Sequence, residues 1–155
     1  MKNDISAIGN ALVDTVFKVE HSLISELGLE IDQMTLSSAE EHAPIIDRLI
    51  ASGADTVSDC GGSATNSLVA AASFGAKCFH TCKVSDDQDG VKYLESLKEA
   101  GVGHKGNMAS ASTIPTGKCL ILVTPDAKRT MTTALNVSSL MNDDDLDLNQ
   151  IANSK

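Results

Sequence analysis

The sequence predicts an α/β fold, in which helices alternate with strands and a few extra strands fall outside a simple parallel series. Short apolar runs that end at glycine, asparagine or proline turns predict the strands. Apolar residues at helical spacing, preceded by Ser or Asp caps and followed by glycine, predict the helices. With 155 residues, of which 42% are hydrophobic, the chain can form one domain with a substantial core.

In the first half, two predicted strands flank a polar bend and a capped helix follows. The pair Ser37-Ser38 with Glu40-Glu41 has the spacing of a capping box, and Gly53 ends the helix. The predicted elements are strands over residues 4–8 and 15–19, a turn or short helix over 22–28, an alternating segment over 29–36 and a helix to about residue 52.

A double-glycine turn lies at the centre of the segment DCGGSATNSLVAAASFGAK. Gly61 and Gly62 permit backbone conformations closed to other residues, and Ser63 or Thr65 can cap the apolar helix that follows. The helix start offers free N–H donors, to which Asn66 adds an amide, and such donors suit a polyhydroxylated or anionic ligand. The alternative is a tight strand-to-helix connection whose glycines serve only close packing.

The second half is predicted to contain a strand, a capped helix, a further strand and a hairpin. The acidic cluster Asp86, Asp87 and Asp89 lies where a helix dipole favours negative charge, which we prefer to cation binding. The predicted elements are a strand over residues 77–84, a helix over 87–100 closed by Gly101, a strand over 102–112, hairpin strands over 118–124 and 128–134, and a short tail capped by Asn142 or Asp143.

Charge and composition exclude several classes of partner. The net charge of −9 argues against nucleic acid or an anionic membrane surface as the main partner. No window approaches the roughly 18 apolar residues of a membrane span and no signal segment is evident, so we expect a cytoplasmic protein. The chain is also too long and too apolar to need disulfide bonds, so we expect the four cysteines to be reduced, buried thiols.

One strand carries three potential zinc ligands, Cys78, His80 and Cys82, on a single face. Successive side chains on that face are about 7 Å apart, too far for all three to bind one ion without bending. We therefore predict no metal site, and a packed or partly exposed polar role for His80.

Two further segments carry polar groups suited to a ligand. Asn10 and Asp14 follow a strand, the usual position of ligand groups in an open α/β sheet, and a carboxylate there can accept two hydroxyl hydrogen bonds. Arg129 and Thr130 lie in the hairpin. The alternatives are a turn carboxylate that caps local N–H groups and a solvated arginine.

Three segments, IGNALVD, DCGGSATNSLVAAASFGAKCFHTCKVSDDQDG and PTGKCLILVTPDAKRTM, resemble in order and spacing the ribokinase/PfkB-like family of sugar and nucleoside kinases. Within that family the sequence is most similar to the adenosine kinases. The resemblance implies a ribokinase-like three-layer α/β/α sheet with a β-stranded lid, of which residues 1–155 are the N-terminal part. The candidate lid strands are residues 15–19, 29–36 and 102–112.

The resemblance also implies roles for single residues. Asp14 accepts the ribose hydroxyls with help from Asn10, Gln33 lies near a nucleoside base, and Arg129 faces the transferring phosphate. The remaining substrate-binding residues are Gly61, Gly62, Ser63 and Asn66. ATP and Mg²⁺ are expected for the full-length family, with their sites mostly outside these residues.

The family's general-base aspartate lies in a Gly-Ala-Gly-Asp segment that residues 1–155 lack. The resemblance therefore implies transfer of the ATP γ-phosphoryl to a ribose hydroxymethyl, with this half binding the acceptor and inactive by itself. The alternative is a non-catalytic protein that binds a nucleoside or sugar, or that forms a homodimer through its lid strands. A dinucleotide-binding oxidoreductase is disfavoured because GxxG does not follow Gly9.

Overall fold

The structure, a computed structural model, describes residues 2–109 and 114–155. These residues form two β-sheets with α-helices packed against them. The strands are β1 (Ile5–Ile8), β2 (Leu12–Lys18), β3 (Met34–Leu36), β4 (Thr56–Gly61), β5 (Cys78–Ser85), β6 (Gly103–Ala109), β7 (Gly117–Val123) and β8 (Arg129–Ala134). The α-helices are α1 (His21–Glu26), α2 (Ala39–Ala51), α3 (Ser63–Ser73), α4 (Gln88–Glu99) and α5 (Leu148–Ala152), with 3₁₀ turns at Asn136–Leu140 and Asp143–Asp145.

The first sheet is parallel, with strand order β1-β5-β6. Helices α3 and α4 cover the face that carries Cys78, Cys82 and Val84, and together they form one hydrophobic core with Leu68 and Tyr93. The C-terminal turns cover the other face, where Lys83 binds Asp145 at 2.8 Å. These layers confirm the predicted α/β/α arrangement.

The second sheet, which we call the small sheet, is mixed and has the order β3-β8-β7-β2-β4. One face packs against α1 and α2 through Phe17, Leu120 and Leu122, with Ile24 and Leu49 opposite them. The other face carries Asp14 and its cross-strand neighbours, because Asp14 is in register with Asp59 on β4 and Cys119 on β7. We call this second face the open face.

Two of the three candidate lid segments lie in the small sheet, but the third does not. Residues 15–18 belong to β2 and residues 34–36 to β3, whereas β6 pairs with β5 in the parallel sheet. The prediction for residues 102–112 therefore needs correction over Gly103–Ala109, and residues 110–112 lie outside the described residues. Pairing partners depend on distant segments, which local alternation does not specify.

The alternating segment over residues 29–36 forms a strand only at Met34–Leu36. Asp32 has a φ of 65°, a left-handed turn conformation that ends pairing before it. By contrast, the predicted capping box of α2 is confirmed: Ser38 Oγ accepts from the Glu41 N–H at 3.2 Å, and Glu41 Oε2 accepts from the Ser38 N–H at 2.7 Å.

The acidic cluster has the predicted structural role at Asp87. Its carboxylate accepts from the Gly90 N–H at 2.7 Å and from the Thr116 hydroxyl at 2.6 Å. Asp87 thus caps α4 and also ties that helix to the segment that precedes β7.

None of the helices in residues 2–109 and 114–155 has the length and apolar content needed to span a bilayer.

Candidate active site

The predicted ligand residues converge where the loop after β1 meets the end of β4. The antiparallel pairing of β2 with β4 places Leu12 opposite Gly61 and Asp14 opposite Asp59. The same pairing brings the Asn10 carbonyl against Gly62, since a Cβ on Gly62 would stand 2.6 Å from that oxygen. The two sequence segments that carry Asn10 and the double glycine therefore form one cradle.

Gly61 makes room for the Asp14 carboxyl group. A Cβ on Gly61 would stand 2.1 Å from Asp14 Cγ and 2.2 and 2.3 Å from its two oxygens. Such distances do not occur between real atoms, so the carboxylate occupies the space that a side chain would fill. The close approach of the Asp14 side chain is the reason for a glycine at this position.

Gly62 is required for a different reason, because its φ of +99° is closed to most L-residues. It is the N-cap of α3 and no side chain caps that helix, which corrects the prediction that Ser63 or Thr65 does so. Ser63 and Asn66 are exposed in the first turn of α3, where they add polar groups beside the free N–H donors.

The electrostatic environment of Asp14 comes from three sources. Burial raises the pKa of its carboxyl above the ordinary value, the Arg129 guanidinium opposes that rise, and the Asp59 carboxylate adds to it. Burial raises the pKa of the Cys119 thiol, and Arg129 opposes that rise as well. Arg129, which is exposed at the start of β8, is therefore electrostatically coupled to the same group of residues as Asp14.

The open face continues from Asp14 as a largely apolar surface. Thr133 donates a hydrogen bond to Cys119 Sγ at 3.2 Å beside Asp14, and Val57, Leu36 and Met34 are 72%, 61% and 56% exposed. A cavity of about 430 Å³ opens at this end of the sheet, between the start of α2 and the end of β8. Its lining includes Leu36, Ser38, Pro115, Thr133, Leu135 and Asn136.

A larger cavity of about 560 Å³ lies between α1, α2 and the turn that joins β7 to β8. Its lining contains none of the predicted ligand residues, and it lies on the covered side of the small sheet. We therefore assign the site by chemistry, at Asp14 and the double glycine.

Gln33 is the predicted residue that the structure leaves apart. It directly precedes β3, is exposed, and accepts a hydrogen bond from the Met131 N–H through its backbone carbonyl at 2.8 Å. Within residues 2–109 and 114–155, no hydrogen bond or ion pair joins its side chain to Asp14 or to the cradle. Because side chains alternate along a strand, the pattern of β3 places Gln33 on the face opposite to Met34 and Leu36.

The roles of several residues near the site were not predicted from the sequence. Asp59 and Cys119 flank Asp14 only through strand register, and Tyr93, Thr65 and His80 form a buried cluster beneath the double glycine. The single tyrosine of the chain carried the one available signal, because a buried phenol needs a hydrogen-bond partner.

The cysteines and the strand histidine have the predicted packing roles. All four cysteines are free thiols, with Cys78, Cys82 and Cys119 buried and Cys60 partly so. His80 is fully buried rather than partly exposed, and it is held by hydrogen bonds to protein groups.

The fold and the cradle can be compared with those of known proteins. A probable sugar kinase from Rhizobium etli has a TM-score of 0.90 at 25% identity, and the adenosine kinase from Sinorhizobium meliloti has 0.86 at 30% identity. The adenosine kinase from Anopheles gambiae, solved with a di(adenosine) tetraphosphate, has a TM-score of 0.83 at 24% identity and shares the fold. The chain is covered fully by the first two and to 98% by the third, but it spans only 46–47% of their lengths.

A search of curated proteins gave no match. The model of the pfkB family of carbohydrate kinases, however, matches residues 30–155, which is most of the chain. This match agrees with the ribokinase-like arrangement of the two sheets and with the sugar and adenosine kinases that share it. The chain belongs to the pfkB family of carbohydrate kinases.

Proposed function

We propose that this chain is the acceptor-binding half of an ATP-dependent adenosine kinase-like enzyme, which transfers the ATP γ-phosphoryl to a ribose hydroxymethyl. The observation that carries the proposal is the position of the Asp14 carboxylate, seated on Gly61 beside the double-glycine start of α3. A carboxylate next to free N–H donors offers both acceptors and donors to a sugar.

The sugar is held by complementary hydrogen bonds. Ionised Asp14 accepts from two neighbouring ribose hydroxyls, while the start of α3 and the side chains of Asn10, Ser63 and Asn66 supply donors to the hydroxyl oxygens. Because burial raises the pKa of Asp14, the nearby Arg129 charge helps to keep the carboxylate ionised.

The apolar open face and the cavity beside it favour a nucleoside over a free sugar. Leu36, Thr133 and Leu135 line that cavity and can pack on a flat base. Adenosine kinases among the structural relatives support adenosine as the first acceptor to test. Gln33 at the start of β3 is assigned to the base end of the site by the family resemblance.

Arg129 is the one residue of this half that we assign to the phosphoryl group. An exposed guanidinium coupled to Asp14 suits an incoming triphosphate, whose developing charge it would offset. No group of three His, Cys, Asp or Glu side chains among residues 2–109 and 114–155 is placed to hold a metal ion. The Mg²⁺ that accompanies ATP in this family is assigned mostly to residues outside this half.

Two measurements on the 155-residue chain test the proposal. Calorimetry with adenosine, ribose and fructose phosphate should show the tightest binding for adenosine, and Asp14→Ala should weaken it by roughly 100-fold or more because two charge-assisted hydrogen bonds are lost. Asp47→Ala, which removes an exposed carboxylate from α2, is the control and should bind as wild type.

Unchanged affinity in Asp14→Ala would refute the sugar-site assignment. The chain by itself should form no AMP from adenosine and ATP, since it holds the acceptor without the family's general base. Phosphorylation by the pure 155-residue chain would contradict that part of the proposal.

A second candidate function is association through the small sheet. Its edge strands are β3 and β4, and Val57 on β4 is 72% exposed, so strand pairing between two copies would bury it. Sedimentation of wild type and Val57→Lys tests this: a dimer that the substitution dissociates supports the homodimer, and a wild-type monomer rules it out.

A further inference from the structure

A fully buried polar cluster, which we call the Tyr93 cluster, lies directly beneath the acceptor cradle. It consists of Thr65 on α3, His80 on β5 and Tyr93 on α4, whose exposed fractions are 0%, 0% and 1%. Buried polar groups are costly unless each finds a partner, so the bonds in this cluster fix its geometry.

The hydrogen bonds of the cluster assign its protons. The Ala7 carbonyl can only accept, so His80 Nδ1, at 3.4 Å, carries the proton and Nε2 is the acceptor. Burial lowers the pKa of His80, more than the Ala7 carbonyl raises it, which keeps the ring neutral. Nε2 lies 3.3 Å from Thr65 Oγ1 and 3.4 Å from Tyr93 Oη.

The two hydroxyl groups are hydrogen-bonded to each other, and Tyr93 Oη also lies 3.4 Å from the Gly61 carbonyl oxygen. Each hydroxyl has one proton to donate. If Thr65 donates to Tyr93, the single Tyr93 proton can be shared between the Gly61 carbonyl and His80 Nε2. Every acceptor in the cluster then lies within reach of a donor. The Gly61 carbonyl is thereby held toward the protein interior.

Holding that carbonyl determines the direction of the next N–H group. In a trans peptide the C=O and the following N–H point in opposite directions, so a Gly61 carbonyl aimed inward aims the Gly62 N–H outward, away from the cluster. Through Ala7 the same cluster anchors the end of β1, two residues before Gly9 and three before Asn10. Both halves of the cradle are thus tied to one buried group.

We propose that Tyr93 is a positioning residue for the acceptor site: its hydroxyl orients the Gly61–Gly62 peptide and, through His80, the loop that carries Asn10. This inference rests on the proposed function for its effect on ligand affinity. It does not place Tyr93 in contact with the ligand.

The first test compares two substitutions that each delete one buried hydroxyl group. Tyr93→Phe removes only the phenol oxygen. The control is Thr132→Val, because Thr132 is 1% exposed and bonds the buried His42 at 3.2 Å and Ser37 at 2.8 Å on the covered side of the small sheet. Both variants should lose stability to urea, but only Tyr93→Phe should weaken adenosine binding, by about tenfold.

Adenosine affinity of Tyr93→Phe within about twofold of wild type would overturn the inference. An equal loss of affinity in Thr132→Val would also overturn it, because the loss would then reflect a general decrease in stability. The comparison is made by titration calorimetry on the 155-residue chain, with affinity and urea midpoint measured on the same preparations.

A second readout needs no ligand and so separates this inference from the proposed function. In ¹⁵N NMR spectra, His80 should be the Nδ1–H tautomer, and Tyr93→Phe should shift the Gly62 and Ser63 amide signals more than Thr132→Val does. Unshifted Gly62 and Ser63 signals in Tyr93→Phe would overturn the positioning role. If wild type binds none of the tested acceptors while these shifts occur, the proposed function fails and the orientation of the turn by Tyr93 stands.

Discussion

Replacing Gly61 by alanine should weaken ligand binding much more than it lowers the stability of the fold. The new methyl group would stand 2.1 Å from Asp14 Cγ, so the carboxylate must move. Since the obstacle is the end of a side chain and Gly61 lacks a positive φ, the backbone can stay in place. Forcing Asp14 away from its rotamer costs about 1 kcal/mol, which sets the expected loss of unfolding free energy.

The loss of binding should be much larger than the loss of stability. Asp14 is assigned two charge-assisted hydrogen bonds worth about 1.5–3 kcal/mol each, so displacing it removes about 3–6 kcal/mol. The adenosine dissociation constant should rise roughly 100- to 10,000-fold. Urea unfolding and titration calorimetry measure the two quantities, and NMR titration extends the range to weak binding.

A matched glycine and a double variant complete this experiment. Gly106→Ala on β6 brings its methyl group within 2.3 Å of Leu94 Cδ2, again a side-chain end, but at the edge of the parallel sheet opposite to β1. It should cost stability and leave affinity unchanged. Gly61→Ala combined with Asp14→Ala should bind like Asp14→Ala alone, because the glycine acts through that carboxylate. Additive losses, or wild-type affinity in Gly61→Ala, would refute the reasoning.

Three further predictions concern charge and capping. Adenosine binding should weaken as pH falls through the raised pKa of Asp14, because the carboxylate becomes protonated. Arg129→Gln should move this loss of binding to higher pH, since Arg129 lowers the Asp14 pKa. An unchanged pH dependence of adenosine affinity would contradict the electrostatic coupling of Arg129 to Asp14. Lys83→Met removes the ion-pair partner of the buried Asp145 carboxylate and should cost about 3 kcal/mol in urea unfolding, so an unchanged free energy of unfolding would refute the importance of the pair. Ser38→Ala should lower the free energy of unfolding by about 1 kcal/mol in the same assay, because the α2 capping box is lost. An unchanged free energy of unfolding would contradict this role of Ser38.

Elements with local signals could be predicted from the sequence. The capping box of α2, the hairpin of β7 and β8 and the cap at Asp87 each depend on residues within a few positions of one another. Their chemistry is therefore visible in the order of residues alone. The double glycine could also be predicted from the sequence, but its two residues are glycines for different reasons. Gly61 leaves room for a neighbouring carboxylate, and Gly62 has a positive φ.

Elements that depend on distant partners could not be predicted in this way. The sheet to which β6 belongs is decided by its pairing with β5, and the neighbours of Asp14 are decided by the register of β2 with β4 and β7. Thr65 was assigned to a helix cap because its sequence position allows one. Its bonds to His80 and Tyr93 instead join residues 15 and 28 positions away.

The position of β2 explains why the site forms at this point of the fold. Val13 packs in the core beneath α3 and α4, whereas Phe17 on the same strand packs in the second core beneath α1 and α2. Asp14 points to the opposite face, so its carboxylate emerges on the open face, away from both cores. Asn10 follows β1 of the parallel sheet, whereas Gly61, Cys119 and Arg129 lie on strands of the small sheet. Since these residues come from two different sheets, the cradle is complete only while both sheets keep their relative position. Gly61 lies at the junction, because it ends β4 two residues before α3 begins at Ser63.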